Sequence, residues 1–464
     1  MTEGKKMDEP GKFRQILVAL IANMSTLSFG TMISWPSSMI PQLQSETPPV
    51  GNEPMTDEAA SWLTGIMCLV SAVVSLAVGG VANRFGCKVT GYLMGVPLCA
   101  CWLFTIFATE QAHLFVARFF AGMSGGMALF LVPVYVSEIA SDGIRGMLGS
   151  LLIFLLNGGI LLGYVLGALL SYRVYSIVAL LFSVLYLALF VFLPESPVYL
   201  TRRNRLNEAA RSISWLRGDD KPTVEQEWLR LQAEVRKQNI PERTVKLSDL
   251  FRDRATIKGS FITLGLFAGQ QLAGISVVLS YTGTIFKMSG SSLSPDSSAI
   301  IIGLIQVFGS CLSTMFMERA GRRPLLLISS SVMAICHCVL GIFCYLQTFR
   351  YDVSRFGSIS IVALSVYMIA YGLGLGPGPY IICSEILKRD VTNLLTTIAM
   401  CFAWCTAFVT VKLFPSIIAL LGMHGSFFLL GTFCTTTFVF VFTFVPETKN
   451  LPRQVIIDRL NGLR

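Results

Sequence analysis

The sequence predicts an all-α membrane protein with twelve transmembrane helices in two pseudo-symmetric six-helix bundles and a cytosolic helical linker between them. Three observations lead there. The 464 residues are 53% hydrophobic and only 14% charged, with mean hydropathy +0.65. Apolar runs of the roughly 20 residues that cross a bilayer recur from end to end. One long polar interruption, residues 195–255, divides these runs into two sets. The charges that close spans in the first set also return in the second, in the same order. Arg84-Phe-Gly86-Cys-Lys88 is answered by Glu318-Arg-Ala-Gly321-Arg322-Arg323, Glu138 by Glu385, and Pro194-Glu195-Ser196-Pro197 by Pro446-Glu447-Thr448-Lys449.

The first apolar run, near 15–35, follows a polar stretch, exceeds a signal-peptide core and lacks a small-residue cleavage site, so it counts as span 1. Residues 36–58 carry no Lys or Arg, as suits an outer-face loop. Spans 2 to 6 follow near 60–82, 89–109, 113–136, 147–170 and 174–193, with Arg84 to Lys88 between spans 2 and 3 and Glu138 and Arg145 between spans 4 and 5. In the linker, 206–216 and 224–235 place apolar residues at helical spacing among charges, which predicts two short amphipathic helices separated by the turn-rich Gly218-Asp-Asp-Lys-Pro222. Spans 7 to 12 lie near 256–286, 299–317, 324–347, 358–382, 393–414 and 424–445. The expected units are an amino-terminal bundle (1–194), the linker (195–255), a carboxy-terminal bundle (256–446) and a tail (447–464).

Most of the 36 Lys and Arg fall in the amino terminus, the even-to-odd loops and the tail. By the positive-inside bias this places both termini in the cytosol of a multi-pass cell-membrane protein. The same distribution accounts for the net charge of +9 without a nucleic-acid partner. Most of the twelve cysteines, among them Cys99, Cys101, Cys336, Cys338, Cys401 and Cys405, sit inside apolar spans and read as small buried hydrophobes. His113, His337 and His424 form no ligand cluster, so no metal site is expected. No phosphate-binding Gly-x-x-x-x-Gly-Lys-Ser/Thr loop and no hydrolase motif occurs. The chain is therefore expected to be no enzyme and to use no cofactor. Two matched bundles around one central site are the organisation of a carrier, whose chemistry is binding and conformational change.

Seven stretches in order resemble the sugar porter family of the major facilitator superfamily over nearly the whole chain. They are Arg118-x-x-x-Gly122-x-x-x-Gly126, Pro133-x-Tyr135-x-x-Glu138 with Arg145-Gly146, Pro194-Glu-Ser-Pro197, Gln270-Gln271-x-x-Gly274, Glu318-Arg-x-Gly-Arg-Arg323, Gly374-x-Gly-Pro377-x-Pro379, and Pro446-Glu-Thr-Lys449. Asn157-Gly-Gly in span 5 and Glu58-Ala-Ala-Ser-Trp62 ahead of span 2 further resemble its insect trehalose-transporter-like branch and glucose-facilitator relatives. The resemblance implies the major facilitator fold, a small neutral sugar as partner, the lipid bilayer as environment, and function as a monomer.

It also assigns residues. Gln270, Gln271, Ser276 and Tyr281 on span 7, Gln306, Tyr380, Trp404 and Asn157 are the implied substrate contacts. Amides donate and accept without charge, which suits a hydroxyl-rich neutral ligand, and aromatic faces suit the C–H face of a pyranose. A polar packing contact between helices is the rival role for the glutamines. Arg84, Arg118, Glu138, Arg145, Glu195, Glu318, Arg322, Arg323, Glu385 and Glu447 are the implied gating residues, carboxylates of one half meeting arginines of the other as an inner latch. Such a network can bias two states a few kcal/mol apart. Gly374, Gly376, Pro377 and Pro379 form a hinge, because proline removes a backbone donor and glycine permits unusual dihedrals.

Departures from the family pattern shape the expectation. Asn83 and Cys87 replace an acidic and a basic residue in the first-half loop, and Thr392 replaces an arginine after Glu385, with Lys88, Lys388 or Arg389 as compensation, which leaves the second-half latch the less secured. Ile153, Ser276, Gly372, Ala403 and Ala407 replace polar pocket residues, so the pocket should be more apolar or roomier than a glucose site. Span 1 from Leu27 to Trp35 has no titratable acid where proton-driven porters carry one, and Lys412 belongs near an outer edge. The expected function is facilitated transport of a hexose or a trehalose-like disaccharide by alternating access. A proton-coupled symporter, a non-transporting sugar sensor on the same fold, and an unrelated small-molecule carrier are the competing readings.

Overall fold

The computed structural model describes residues 10–238, 247–251, 253–288, 293–351, 357–387, 389–449 and 451–462. Helices account for all regular structure among them, as a bilayer requires of any backbone that must satisfy its own hydrogen bonds. The first half comprises α1 (Lys12–Leu43), α2 (Asp57–Ile106), α3 (Gln111–Ile139), α4 (Arg145–Leu169) and α5 (Tyr172–Phe190). The linker holds α6 (Pro197–Arg202), α7 (Leu206–Leu216) and α8 (Lys221–Gln238), followed by a short turn of 3-10 helix at Leu247–Phe251. The second half has α9 (Arg254–Leu272), α10 (Ile275–Met288), α11 (Pro295–Ala320), α12 (Arg322–Thr348), α13 (Ile359–Leu373), α14 (Gly378–Ile386) and α15 (Arg389–Phe444), and the tail adds α16 (Arg453–Asn461).

Ten stretches among the described residues are long and apolar enough to cross a membrane. Two of them are far too long for one crossing. At 1.5 Å per residue, the 50 residues of α2 and the 56 of α15 would each exceed twice the roughly 30 Å hydrocarbon thickness. Each contains a glycine with non-helical dihedrals, Gly86 (φ 92°, ψ 167°) and Gly422 (φ 69°, ψ 172°). α2 doubles back at Gly86, since the Gly51 amide just before it bonds the Thr109 carbonyl just after it at 3.2 Å.

Two spans are broken, span 7 where a continuous helix was expected and span 10 at the Gly374 to Pro379 run. Span 7 is interrupted between α9 and α10 at Gly274 (φ +90°), and span 10 between α13 and α14 over residues 374–377.

In the first half α1 packs on α4 and α5, and α2 on α3 and α5; in the second, α12 packs on α13 and α15, α9 on α15, and α11 on α13. Small residues let these backbones approach. A Cβ on Gly122 would lie 2.6 Å from the Met67 carbonyl of α2, and the Ser71 hydroxyl donates to the Gly122 carbonyl at 3.0 Å, so the Gly122-x-x-x-Gly126 motif is the α2–α3 contact. Leu420, Phe192 and Phe107 are among the large apolar side chains left on the outer surface, as a lipid environment allows. The halves meet along α2 with α15, α4 with α11, and α1 with α10.

Both ends of the described chain lie on the linker side. Arg14 of α1 pairs with Asp219 after α7 at 3.1 Å, and the Asn461 side chain of α16 accepts from the Ala255 amide of α9 at 3.0 Å. The linker is clamped to the first half. Buried Arg217 pairs with Glu227 and donates to the Ile139 carbonyl at the end of α3 at 2.9 Å, while Arg230 and Arg145 both pair with Asp142, at 2.6 and 2.9 Å. The two expected amphipathic helices correspond to α7 and α8, joined by contacts of Ile213 and Leu231 with Val198, Val224 and Trp228.

Candidate substrate site and gating elements

The two broken spans are stitched to each other. Where α9 ends, the Ala273 carbonyl has lost its helical partner, and it accepts from the Tyr367 hydroxyl at 2.9 Å and from His337 Nε2 at 3.0 Å. Where α13 ends, the carbonyls of Leu375 and Gly376 both accept from Gln270 Nε2, at 2.9 and 2.7 Å, and the Leu375 amide donates to the Ser329 hydroxyl at 3.1 Å. Backbone groups freed inside a membrane need such partners. Gln270 is buried and both hydrogens of its amide nitrogen are engaged, so in this conformation it makes the helix-packing contact. Gln271 is partly exposed; its Oε1 accepts the Ser276 hydroxyl at 2.7 Å, and its Nε2 reaches Gln270 Oε1 at 3.4 Å.

A second polar group bridges the halves. Gln306 of α11 donates to Asn157 Oδ1 of α4 at 3.1 Å, and Asn157 Nδ2 donates to the Ser310 hydroxyl at 2.5 Å. Gln306 Oε1 is buried without a hydrogen-bond partner. Every group in this bridge is uncharged and able to exchange its partner for a ligand hydroxyl. Aromatic neighbours flank the junction: Trp404 lies edge-on to Phe29 across the halves at 6.2 Å, and Tyr380, 41% exposed, stands edge-on to Phe267 at 4.9 Å. Tyr281 lies farther from the linker, bonded to the Val411 carbonyl at 3.3 Å and packed on Phe414. Ile153 is 45% exposed, whereas Ala403 and Ala407 are buried.

On the side away from the linker the halves are joined by the Gly283 amide to the Ser37 hydroxyl (2.9 Å), the Tyr164 hydroxyl to the Leu279 carbonyl (2.8 Å), and Lys412 to the Ser61 hydroxyl (2.9 Å). Lys412 also lies over the Trp62 ring at 4.8 Å.

The expected latch takes a different form. Its carboxylates bind within their own half. Glu447 accepts the backbone amides of Arg322, Arg323, Thr448 and Lys449 at 2.8 to 3.1 Å, and Glu385 pairs with Arg322 at 3.1 Å and accepts the Thr448 hydroxyl. In the first half Glu195 accepts the amides of Cys87, Lys88 and Ser196, and Glu138 accepts the Ser196 hydroxyl. Gly86 and Gly321, at φ 92° and 93°, are the matched turns that each glutamate approaches.

One element is missing from the first copy. Cys87 occupies the position of Arg322, its sulfur 3.7 Å from Glu138, so the half expected to be better secured is the one without the guanidinium. Lys88 does not replace it, since its ammonium bonds the Val191 carbonyl at 2.9 Å, as Arg323 bonds that of Phe442 at 2.7 Å.

The electrostatics follow. Burial pushes the Glu195 carboxyl above its usual range despite three backbone donors, with the neighbouring Glu138 adding to the rise. Burial acts on Glu447 in the same direction, but four backbone N–H donors outweigh it and hold that carboxyl below the usual range.

Three gating assignments need correction. Arg145 pairs with Asp142 and donates to the Ala140 carbonyl, both in its own half. Arg84 lies over Phe85, and its carbonyl accepts from Tyr199 and Arg203. Arg118 is twenty residues from Glu138 on the same helix, about 30 Å along its axis, and belongs to the far side, where it donates to the Met32 carbonyl at 2.7 Å. The side chain of Glu318 and residue Lys388 lie outside the described residues, as does the side chain of Arg389.

Sequence reasoning missed Ser310, Ser329, Tyr367 and His337. Gly274, inside the Gln-Gln-x-x-Gly motif, could have signalled the span 7 break that Tyr367 and His337 serve.

Two half-length helical sets, broken spans facing each other, and a neutral amide and hydroxyl bridge between the halves define a membrane carrier rather than an enzyme. The sequence profile described as "Sugar (and other) transporter" matches residues 18–456, and the chain belongs to that family, the sugar porters of the major facilitator superfamily. The facilitated trehalose transporter Tret1 of Apis mellifera ligustica is 32% identical over 453 residues, 97% of this chain and 88% of that protein. Tret1 of Culex quinquefasciatus is 32% identical, over 97% of this chain and 86% of that protein. The inward open conformation of the xylose transporter XylE from E. coli superposes with TM-score 0.78 at 21% identity, over 97% of this chain and 99% of that one.

Proposed function

We propose that this sugar transporter is a facilitator of the cell membrane, moving a hexose or a trehalose-like disaccharide by alternating access without proton coupling. The observation that carries the reading is the uncharged bridge of Asn157, Gln306 and Ser310 at the junction of the halves, with Asn157 and Gln306 buried and Gln306 Oε1 unpartnered. A neutral polyhydroxylated ligand can replace each of those bonds in kind. Gln271, Ser276, Tyr281, Tyr380 and Trp404 complete the proposed site, and Gln270 acts through the carbonyls it holds at the Gly374 to Pro379 hinge. Uniport is favoured because Arg118 meets a backbone carbonyl and an indole ring of span 1, with no carboxylate paired to it among the described residues.

The proposal includes twelve crossings, with α2 and α15 each counted twice, in bundles of residues 1–194 and 256–446. Both termini and the linker face the cytosol, and one chain is the working unit. Hydrogen bonds joining the far side leave the linker side as the one that opens. The test is uptake of labelled glucose, fructose, trehalose and a polyol by purified protein in liposomes. Saturable flux of one sugar, weakened by Gln306→Ala, supports the reading; ligand binding without flux makes the protein a sensor.

A further inference from the structure

Arg118 is buried, with 3% of its surface exposed, yet only one of its guanidinium nitrogens is satisfied, by the Met32 carbonyl. Its Nε and second terminal nitrogen have no partner, and neither do the indole nitrogens of Trp35 and Trp102. All three residues line one cavity, together with Cys101, Thr105, Leu114 and Ala117. The cavity has room for about one water-sized body.

The acceptors beside it, the Thr105 hydroxyl and carbonyl, are neutral and cannot balance a guanidinium. The Thr105 hydroxyl donates to the Cys101 carbonyl at 2.8 Å, and the Thr105 carbonyl receives the Tyr172 hydroxyl at 2.8 Å. The Trp35 ring offers its face to the guanidinium at 5.1 Å. No carboxylate pairs with Arg118 among the described residues.

We propose that Arg118, Trp35 and Trp102 bind a halide-sized monovalent anion, chloride, in this cavity. A water molecule accepts two hydrogen bonds, fewer than the four unpartnered nitrogens of Arg118, Trp35 and Trp102 offer, and it brings no charge. An anion accepts several at once and also balances the buried charge, which is costly when left alone in low dielectric. With room for about one water-sized body, the cavity excludes gluconate and sulfate.

The test exchanges chloride for gluconate at constant ionic strength around the purified full chain, following the thermal unfolding midpoint. The expected result is a saturable rise specific to chloride, with Trp102→Phe weakening the apparent affinity about tenfold, the loss of one hydrogen bond to a charged group. Arg118→Gln should abolish it. If that variant does not fold, Trp102→Phe and Trp35→Phe decide. Equal midpoints in chloride and gluconate, or a chloride response unchanged by both indole substitutions, would overturn the proposal and leave a buried water as the occupant.

Discussion

Arg322→Cys would give the second half the composition of the first, and its cost can be worked from the geometry. The lost contact is a charge-assisted hydrogen bond at 3.1 Å between side chains 18% and 27% exposed. Such bonds contribute about 1.5–3 kcal/mol when well shielded, and exposed ion pairs at most about 1 kcal/mol. The intermediate exposure here places the expected loss at about 1–2 kcal/mol. For a bundle of this size that is a fall of a few degrees in unfolding midpoint, at about 2–4 °C per kcal/mol. The assay is a double-mutant cycle with Glu385→Gln in purified protein. The two single substitutions should each lower the midpoint, and the double should lower it by clearly less than their sum. Additive effects would show that Arg322 and Glu385 do not support each other and would refute the reasoning. In the first half, Cys87→Arg should raise the midpoint, because it places a guanidinium beside Glu138 as Arg322 stands beside Glu385, adding to the charge of Arg202.

Other expectations follow from the same geometry. Gly274→Ala should lower the midpoint and uptake together, since φ +90° strains any L side chain and the new Cβ would lie 3.0 Å from Leu430; the cost is about 1–3 kcal/mol, and unchanged stability would contradict the break in span 7. Gln270→Ala should weaken uptake while the protein still reaches the surface, because it leaves two carbonyls of the span 10 hinge unpaired at about 1–3 kcal/mol. Full uptake by that variant would exclude Gln270 from gating. Glu447→Gln should be more destabilising than Glu195→Gln near neutrality. The depressed Glu447 carboxyl contributes stability that is present above the usual glutamate range and lost as pH falls through its lowered value. The raised Glu195 carboxyl has the opposite sign: its contribution is full below that range and lost as pH rises through its raised value, so a neutral amide costs less there. Midpoints of the two variants measured against pH should converge in acid; a constant gap would contradict the assignment.

Much of this arrangement was legible from residues alone. Spans follow from hydropathy, and the paired motifs around Gly86 and Gly321 turned out to be the same construction, glutamates from a later segment capping backbone amides after a positive-φ glycine. What the pattern concealed was the partner of each charge. Carboxylates and arginines recurring together suggested contacts between halves, but adjacency in a motif cannot tell a contact across the junction from one inside a bundle, and the ion pair lies inside. Arg118 was misplaced for a related reason, since a helix carries its two ends to opposite faces of the membrane and a motif spanning both does not say which end matters. His337 looked isolated because its partner is a backbone carbonyl freed by a break, and carbonyls carry no sequence signal.

The central claim is movement of a neutral sugar without proton coupling. The most direct measurement is the steady-state ratio of inside to outside sugar in liposomes holding the purified protein, with and without an inward proton gradient. Uniport gives a ratio that settles at one in both conditions, reached faster than in protein-free liposomes. A ratio driven above one by the gradient would contradict it and assign the chain to proton symport.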